Sequence, residues 1–363
     1  MTTLRLEKLA HSYKANPVGP QDYALKEINQ IWQTGGAYAL LGPSGCGKTT
    51  LLNILSGLVT PSQGRVYFDD QDVTELPTEK RNIAQVFQFP VIYDTMTVRE
   101  NLAFPLKNRG LDAAHIRTRV EEIASLLDLN RDLDRRAKGL TADAKQKISL
   151  GRGLVRPDVA AVLFDEPLTV IDPQLKWELR SKLKEIHRKL AVTMIYVTHD
   201  QTEALTFADK VVVMSEGEVV QIGTPEELFE KPSHRFVGHF IGSPGMNFLP
   251  CAIEGTKALI GQFTVELNAE YSKYPQAKME LGIRPDFVAL CAPGQGLPVQ
   301  VDRIDDLGRN RIAHVRLGGH KLAVMVPPGF DTGRSDLTIA FESSRIGIFV
   351  NDKRLQPHAR GGA

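Results

Sequence analysis

The sequence predicts two domains of different class: an α/β domain on a largely buried parallel sheet over residues 1–240, and a small all-β barrel over residues 247–356. Three observations carry this expectation. Short apolar runs alternate with longer helical patterns through the first part of the chain. A glycine-rich turn joins one of those runs to one of those helices. Beyond Pro244 the texture changes to short strand patterns broken by Gly, Asp and Pro.

In chain order, strands are expected at residues 4–9, 37–41, 84–87, 160–165, 193–197 and 210–215, with helices at 47–58, 113–127, 142–155, 173–190 and 201–208. The third to fifth apolar runs are bounded by polar or helical segments, as βαβ units in a buried parallel sheet require. After Pro244, residues 299–304, 311–317, 322–325 and 337–341 read as barrel strands. The boundary is placed near Asn247, with Pro244-Gly245 as punctuation. The polar, Gly-rich tail 357–363 predicts disorder.

Composition excludes several classes of function. With 42% hydrophobic and 24% charged residues, the chain reads as an ordinary globular protein with a sizeable core. Its 44 basic and 43 acidic residues leave a net charge of +1, which argues against nucleic acid as a partner. Cys46, Cys251 and Cys291 have no metal-ligand spacing, so a reduced, cytosolic setting is expected. Arg5, Glu7 and Lys8 interrupt any signal-peptide core, and no apolar run approaches the length of about 20 residues that a spanning helix needs.

Gly42-Pro43-Ser44-Gly45-Cys46-Gly47-Lys48-Thr49, with Thr50 next to it, follows an apolar strand and opens a helical run. This pattern of Gly, four residues, then Gly-Lys-Ser/Thr predicts a phosphate-binding loop. Glycines let backbone N–H groups turn inward around phosphate oxygens, and the helix N-terminus adds positive potential. Lys48 supplies a cation for the β- and γ-phosphates, and the Thr49 hydroxyl a ligand for Mg²⁺. The bland alternative is a Gly-rich turn before a Lys-capped helix; the strand–helix setting weighs against it.

The apolar run 160–164 ends in Asp165-Glu166. Taken alone it is a solvated strand end. In a parallel sheet that carries a phosphate loop, the same strand delivers both carboxylates to the loop's edge. Asp165 is then expected in the Mg²⁺ shell, and Glu166 as general base or water-orienting group.

Together these motifs resemble the ATP-binding domain of ABC ATPases, α/β P-loop NTPases that bind ATP and Mg²⁺. The resemblance implies further roles. Gln88, within Val86-Phe87-Gln88-Phe89-Pro90, matches the glutamine that senses Mg²⁺ and water and faces the membrane subunit. Asp172, within Thr169-Val170-Ile171-Asp172, matches the D-loop aspartate that touches the opposite subunit. His199, in Thr198-His199-Asp200, matches the switch histidine that reads the γ-phosphate. Tyr13 matches the aromatic that stacks on adenine, with Tyr23 a rival across the apparent insertion 14–23.

One motif departs from the family. Where ABC ATPases carry Leu-Ser-Gly-Gly-Gln to clamp the partner subunit's ATP, this chain reads Leu140-Thr141-Ala142-Asp143-Ala144. Ala142 and Asp143 replace the glycines that allow close backbone approach. If Asp143 faced the γ-phosphate, two unit charges at about 4 Å would repel by about 4 kcal/mol at an effective dielectric of about 20. The alternative is a solvated first-turn acid favoured by the helix dipole. Intact residues in cis and altered ones in trans imply a heterodimer with a second ABC ATPase whose signature is intact.

Phe240-Ile241-Gly242-Ser243-Pro244, Met246-Asn247-Phe248-Leu249 and Leu281-Gly282-Ile283-Arg284-Pro285-Asp286 resemble the junction and the oligonucleotide-binding-like regulatory (TOBE-like) barrel of carbohydrate-importer ATPases of the maltose and glycerol-phosphate group. The insertion, the stretch Phe89–Asp94 and the altered signature look most like one of the paired ATPases of bacterial glycerol importers. The resemblance thus implies an ATPase on the cytoplasmic face of the inner membrane, powering uptake of a small polyol or sugar, glycerol favoured. Its partners would be permease subunits and an extracytoplasmic solute-binding protein. The rival readings are a non-hydrolysing regulatory subunit of such an importer, or a soluble ABC ATPase acting on nucleic acid.

Overall fold

The computed structural model describes residues 2–272, 274, 277–331 and 336–357. These fall into two compact units that divide between Pro225 and Glu226.

The first unit has two sheets. A four-stranded antiparallel sheet has β1 (Leu4–His11) between β2 (Leu25–Trp32) and β4 (Gln63–Phe68), with β5 (Gln71–Asp72) at its edge. A six-stranded sheet contains β3 (Ala37–Leu41), β6 (Ile83–Val86), β7 (Ala161–Asp165), β8 (Met194–Thr198), β9 (Lys210–Ser215) and β10 (Glu218–Gly223), in the order β10-β9-β3-β8-β7-β6. All its pairings are parallel except β9–β10. Helix α1 (Lys48–Ser56) contributes Leu51, Leu52, Ile54 and Leu55 to one apolar cluster with Leu4, Leu6, Leu25 and Trp32 of the first sheet and Leu40, Leu163, Ile195 and Val212 of the second. Each such leucine, fully buried, stabilises the fold by about 1.5–3 kcal/mol.

Three helices follow the β6 strand: α2 (Val98–Lys107), α3 (Ala113–Leu126) and α4 (Ala142–Leu154). Each starts with a side-chain cap, Thr97 with Glu100 in a capping box, Asp112, and Thr141. Then α5 (Pro173–Leu190) begins at its Asp172 cap, and α6 (Gln201–Phe207) at its Asp200 cap.

The first strand runs in the antiparallel sheet, beside strands that the sequence reading lacks. In β2 the buried positions are Leu25, Ile28 and Trp32, a helix-like spacing. Register shifts in its pairing with β1 break the period of two. Helix α2, ten residues long with Pro105 inside it, is also absent from the expected elements, although its Thr97–Glu100 capping box is plain in the sequence.

Helix α7 (Pro225–Glu230) starts at the division, and the second unit goes on through α8 (Arg235–Phe240) to short antiparallel strands around one apolar core that includes Leu249, Leu281, Val315, Val324 and Ile348. The expected strands form at Gln300–Asp306, Arg311–Leu317, His320–Val326 and Thr338–Phe341, joined by others such as Asn247–Pro250 and Met279–Ile283. The division lies ahead of the boundary read near Asn247, so most of the last stretch assigned to the 1–240 domain groups with the 247–356 barrel. Arg284 supplies the reason. Only 1% exposed, its guanidinium donates to the carbonyls of Phe229, Gly238 and Ile241 and stacks over the Phe229 ring at 4.1 Å. Beyond Pro357, the tail read as disordered lies outside the described residues.

Candidate active site

The parallel registers bring the motifs to one edge. Leu41 pairs with Thr198, Asp165 with Val197, and Val86 with Phe164. Gly42, Gln88, Asp165, Glu166 and His199 therefore all lie at or just past the carboxyl ends of neighbouring strands, where ligands bind in open α/β sheets.

The turn after β3 is shaped by its glycines. Gly45 and Gly47 have φ of +81° and +99°, in the left-handed region, and Gly47 is the residue before α1. A Cβ on Gly42 would fall 2.2 Å from the Met214 carbonyl oxygen, and one on Gly47 would fall 2.5 Å from that of Ala24. Pro43, Ser44 and Gly45 form the exposed crest, while Cys46 packs inward at 3% exposure. Burial pushes the Cys46 thiol pKa up. Lys48, 5% exposed, donates its ammonium to the carbonyls of Gly42 at 2.8 Å and Pro43 at 2.9 Å. Its charge is thus held inside the turn.

Thr49 Oγ1 donates to Asp165 Oδ1 at 3.4 Å. Burial, and next the charge of Glu166, push the Asp165 carboxyl pKa above the usual range. A hydroxyl and a carboxylate side by side are oxygen donors suited to a hard divalent metal. Glu166 has φ of +46°, rare for a residue with a Cβ and typical of strained functional positions. Its Oε1 lies 3.1 Å from His199 Nδ1, and its Oε2 accepts from Thr169 Oγ1 at 3.3 Å. Thr169 sits in the D-loop motif, but its hold on Glu166 was not legible in the sequence. Gln88 is half-buried two residues past the end of β6.

Tyr13 is 65% exposed, packs edge-on against His11 at 4.6 Å, and its hydroxyl lies 3.2 Å from Thr50 Oγ1. Its ring stands beside the start of α1 with a face available for stacking. Tyr23 instead accepts a hydrogen bond from Gln63 Nε2 at 3.0 Å. The insertion between them is ordered around Asp22, whose carboxylate pairs with Lys14 and accepts from the Val18 amide at 2.8 Å.

Residues 25–169 match the ABC transporter family, and residues 242–288 the MalK OB fold domain. The sn-glycerol-3-phosphate import ATP-binding proteins UgpC of Shigella sonnei (strain Ss046) and Escherichia coli (strain K12) are each 44% identical over 328 residues, 89% of this chain and 90% of theirs. The chain belongs to the ABC transporter ATP-binding proteins. Among solved structures, cbiO1 from Clostridium perfringens, part of the transporter complex cbiONQ, matches with a TM-score of 0.57 at 29% identity, over 63% of this chain and 90% of that one. The dimeric ATP-binding cassette MJ0796, bound to ADP and Pi, matches with a TM-score of 0.54 at 26% identity, over 61% of this chain and 98% of that one.

This ABC ATPase is thus an ATP-binding importer subunit, hydrolysing ATP in step with permease subunits. Among the described residues, no helix is long and apolar enough to cross a membrane. Asp172, exposed at the start of α5, accepts from the Gln174 amide at 2.9 Å. The altered signature opens α4. Thr141 caps it by accepting from the Ala144 amide at 3.3 Å, and Asp143 stands half-buried in the first turn.

Proposed function

We propose that this chain hydrolyses MgATP at a site formed by Lys48, Thr49, Gln88, Asp165, Glu166 and His199, and so powers import of a small glycerol-type solute from the cytoplasmic face of the inner membrane. The observation that carries this reading is the pair of contacts Glu166–His199 at 3.1 Å and Thr49–Asp165 at 3.4 Å, on the sheet edge that also bears the buried Lys48.

The chemistry follows from the groups present. Lys48 and the backbone amides of Gly45 to Thr49 hold the β- and γ-phosphates, and Tyr13 stacks on the base. Glu166, aligned by Thr169 and His199, accepts a proton from the attacking water as its oxygen bonds to the γ-phosphorus. The bridging P–O bond breaks and its electron pair leaves with ADP. His199 donates to the γ-phosphate and so distinguishes ATP from ADP. Mg²⁺, ligated by Thr49 and Asp165 with Gln88 close by, would neutralise charge on the phosphates.

The solute is assigned as sn-glycerol 3-phosphate, which the UgpC relatives are named for importing, or glycerol itself, favoured by the 14–23 insertion and the altered signature. Beyond Gln88 the exposed Phe89, Val91 and Tyr93 offer an apolar surface to a permease segment, and Arg152 of α4 stacks over Tyr93 at 4.6 Å. An extracytoplasmic solute-binding protein would deliver cargo to that permease. The missing signature glycines favour a heterodimer with a second ABC ATPase, in which this chain's cis residues meet an intact signature.

Uptake of labelled glycerol and of labelled sn-glycerol 3-phosphate is measured in cells carrying the assembled importer with wild-type chain or Glu166→Gln. The variant is expected to bind ATP normally and to lose at least about tenfold in hydrolysis and in uptake of one of the two solutes. Loss of neither uptake refutes the solute assignment. Hydrolysis within threefold of wild type refutes the role of Glu166.

A further inference from the structure

Four residues past His199 lies a buried acid that the hydrolysis scheme leaves unused. Glu203, in the first turn of α6, is 4% exposed. Its Oε2 accepts hydrogen bonds from the Tyr196 hydroxyl at 3.1 Å and the Thr198 hydroxyl at 2.9 Å. Lys176 Nζ stands 3.9 Å from Oε1. Burying a carboxyl group costs several kcal/mol unless it is well paired, and an apolar side chain would fill the same space more simply. What distinguishes this position is what it ties together.

Tyr196 and Thr198 lie at the end of β8, just before His199, and Glu203 lies just after it. The Asp200 amide donates to Thr198 Oγ1 at 3.0 Å, while Asp200 Oδ1 accepts from the amides of Thr202 at 2.7 Å and Glu203 at 3.3 Å. His199 is thus the outward-facing residue of a tight bridge whose two ends are fastened through one carboxyl group. The bridge aims its ring at Glu166. Lys176 lies one turn along α5 from Asp172, so the same carboxyl also leads toward the D-loop.

We propose that Glu203 is the positioning residue for His199. By holding Thr198 and Tyr196 against α6, it fixes the imidazole at the place from which it reads the γ-phosphate and keeps Glu166 aligned. The inference rests on the role assigned to His199 above. A misplacement of about 1 Å in such a group can cost on the order of a hundredfold in rate, so the brace acts on turnover rather than on nucleotide binding.

The test uses the assembled importer with Glu203→Ala, Glu203→Gln, Thr198→Val and His199→Ala. It reads kcat and KM for ATP, Kd for ADP, and thermal unfolding of each variant. Glu203→Ala and Thr198→Val are expected to lower kcat about tenfold or more with Kd for ADP within twofold of wild type. Glu203→Gln keeps an amide oxygen for both hydroxyls and should stay within about threefold of wild-type kcat. Thr198→Val preserves shape and side-chain volume, so it carries the test if Glu203→Ala does not fold. If kcat holds within twofold in Thr198→Val while His199→Ala is depressed, the brace is overturned and the His199 role stands. Equal loss of ADP and ATP affinity would mark a merely structural role, and Glu203→Gln falling as far as Glu203→Ala would exclude the hydrogen-bond mechanism. An unchanged kcat in His199→Ala overturns both the brace and the role of His199.

Discussion

At the scale of single residues, the metal role proposed for Asp165 stands against its contribution to stability. Asp165 ends a buried strand next to Glu166, and burial followed by that neighbouring charge raises its pKa. An acid whose pKa is higher folded than unfolded penalises the fold above the folded pKa, and the penalty is relieved as pH falls through it. Asp165→Asn should therefore raise the melting temperature of the nucleotide-free chain at pH 7, by about 2–4 °C. The gain should shrink on acidification, and MgATP should no longer stabilise the variant as it does wild type. Differential scanning fluorimetry at pH 5 and pH 7 reads all three; a lower melting temperature at pH 7 would mean that the Thr49 bond outweighs the repulsion. Asp165 was legible because an apolar run ending in two acids has few other uses beside a phosphate loop. Glu203 was not, because its partners Tyr196 and Thr198 become meaningful only when strand and helix fold back on each other.

At the scale of elements, the central strands of the parallel sheet were the most legible, because a strand covered on both faces is apolar along its length. The strands β3, β7 and β8 are apolar almost throughout and were read to within a residue or two. Strand β4 begins with three exposed residues, Gln63, Gly64 and Arg65, and leaves no such trace. In the second unit, Arg284 could be read as part of a motif, but its acceptors lie on α7, on α8 and just past α8, more than 40 residues back in the chain. Burial pushes its pKa down to about 10, so the guanidinium stays charged at neutral pH while serving the carbonyls of Phe229, Gly238 and Ile241. Arg284→Met fills much of the space yet leaves those carbonyls unpaired, and should destabilise the second unit by about 3 kcal/mol. Two-step unfolding by calorimetry would show one transition moved and nucleotide binding retained. A loss below about 1 kcal/mol would mean that water replaces the guanidinium.

At the scale of the whole molecule, the roles proposed above give the chain a full set of residues for ATP in cis and an altered set to offer in trans. Close backbone approach at a helix N-terminus needs residues without a Cβ, and Ala142 and Asp143 both have one. If Asp143 faces the partner's nucleotide, its anion opposes phosphate besides, although the N-terminus of α4 itself favours a negative side chain. Purified alone, the chain should bind ATP and dimerise weakly. Converting Thr141, Ala142, Asp143 and Ala144 to Ser, Gly, Gly and Gln restores close approach and removes the charge. In a Glu166→Gln background, where hydrolysis cannot reopen the interface, the repaired chain should elute as an ATP-dependent homodimer. Asp143→Gly alone should give part of that gain if repulsion matters, and none if the acid points to solvent. Size-exclusion chromatography with and without ATP separates these cases. Should the unrepaired Glu166→Gln chain already dimerise fully with ATP, Thr141 and the N-terminal amides of α4 suffice as a clamp, and no second ATPase is needed.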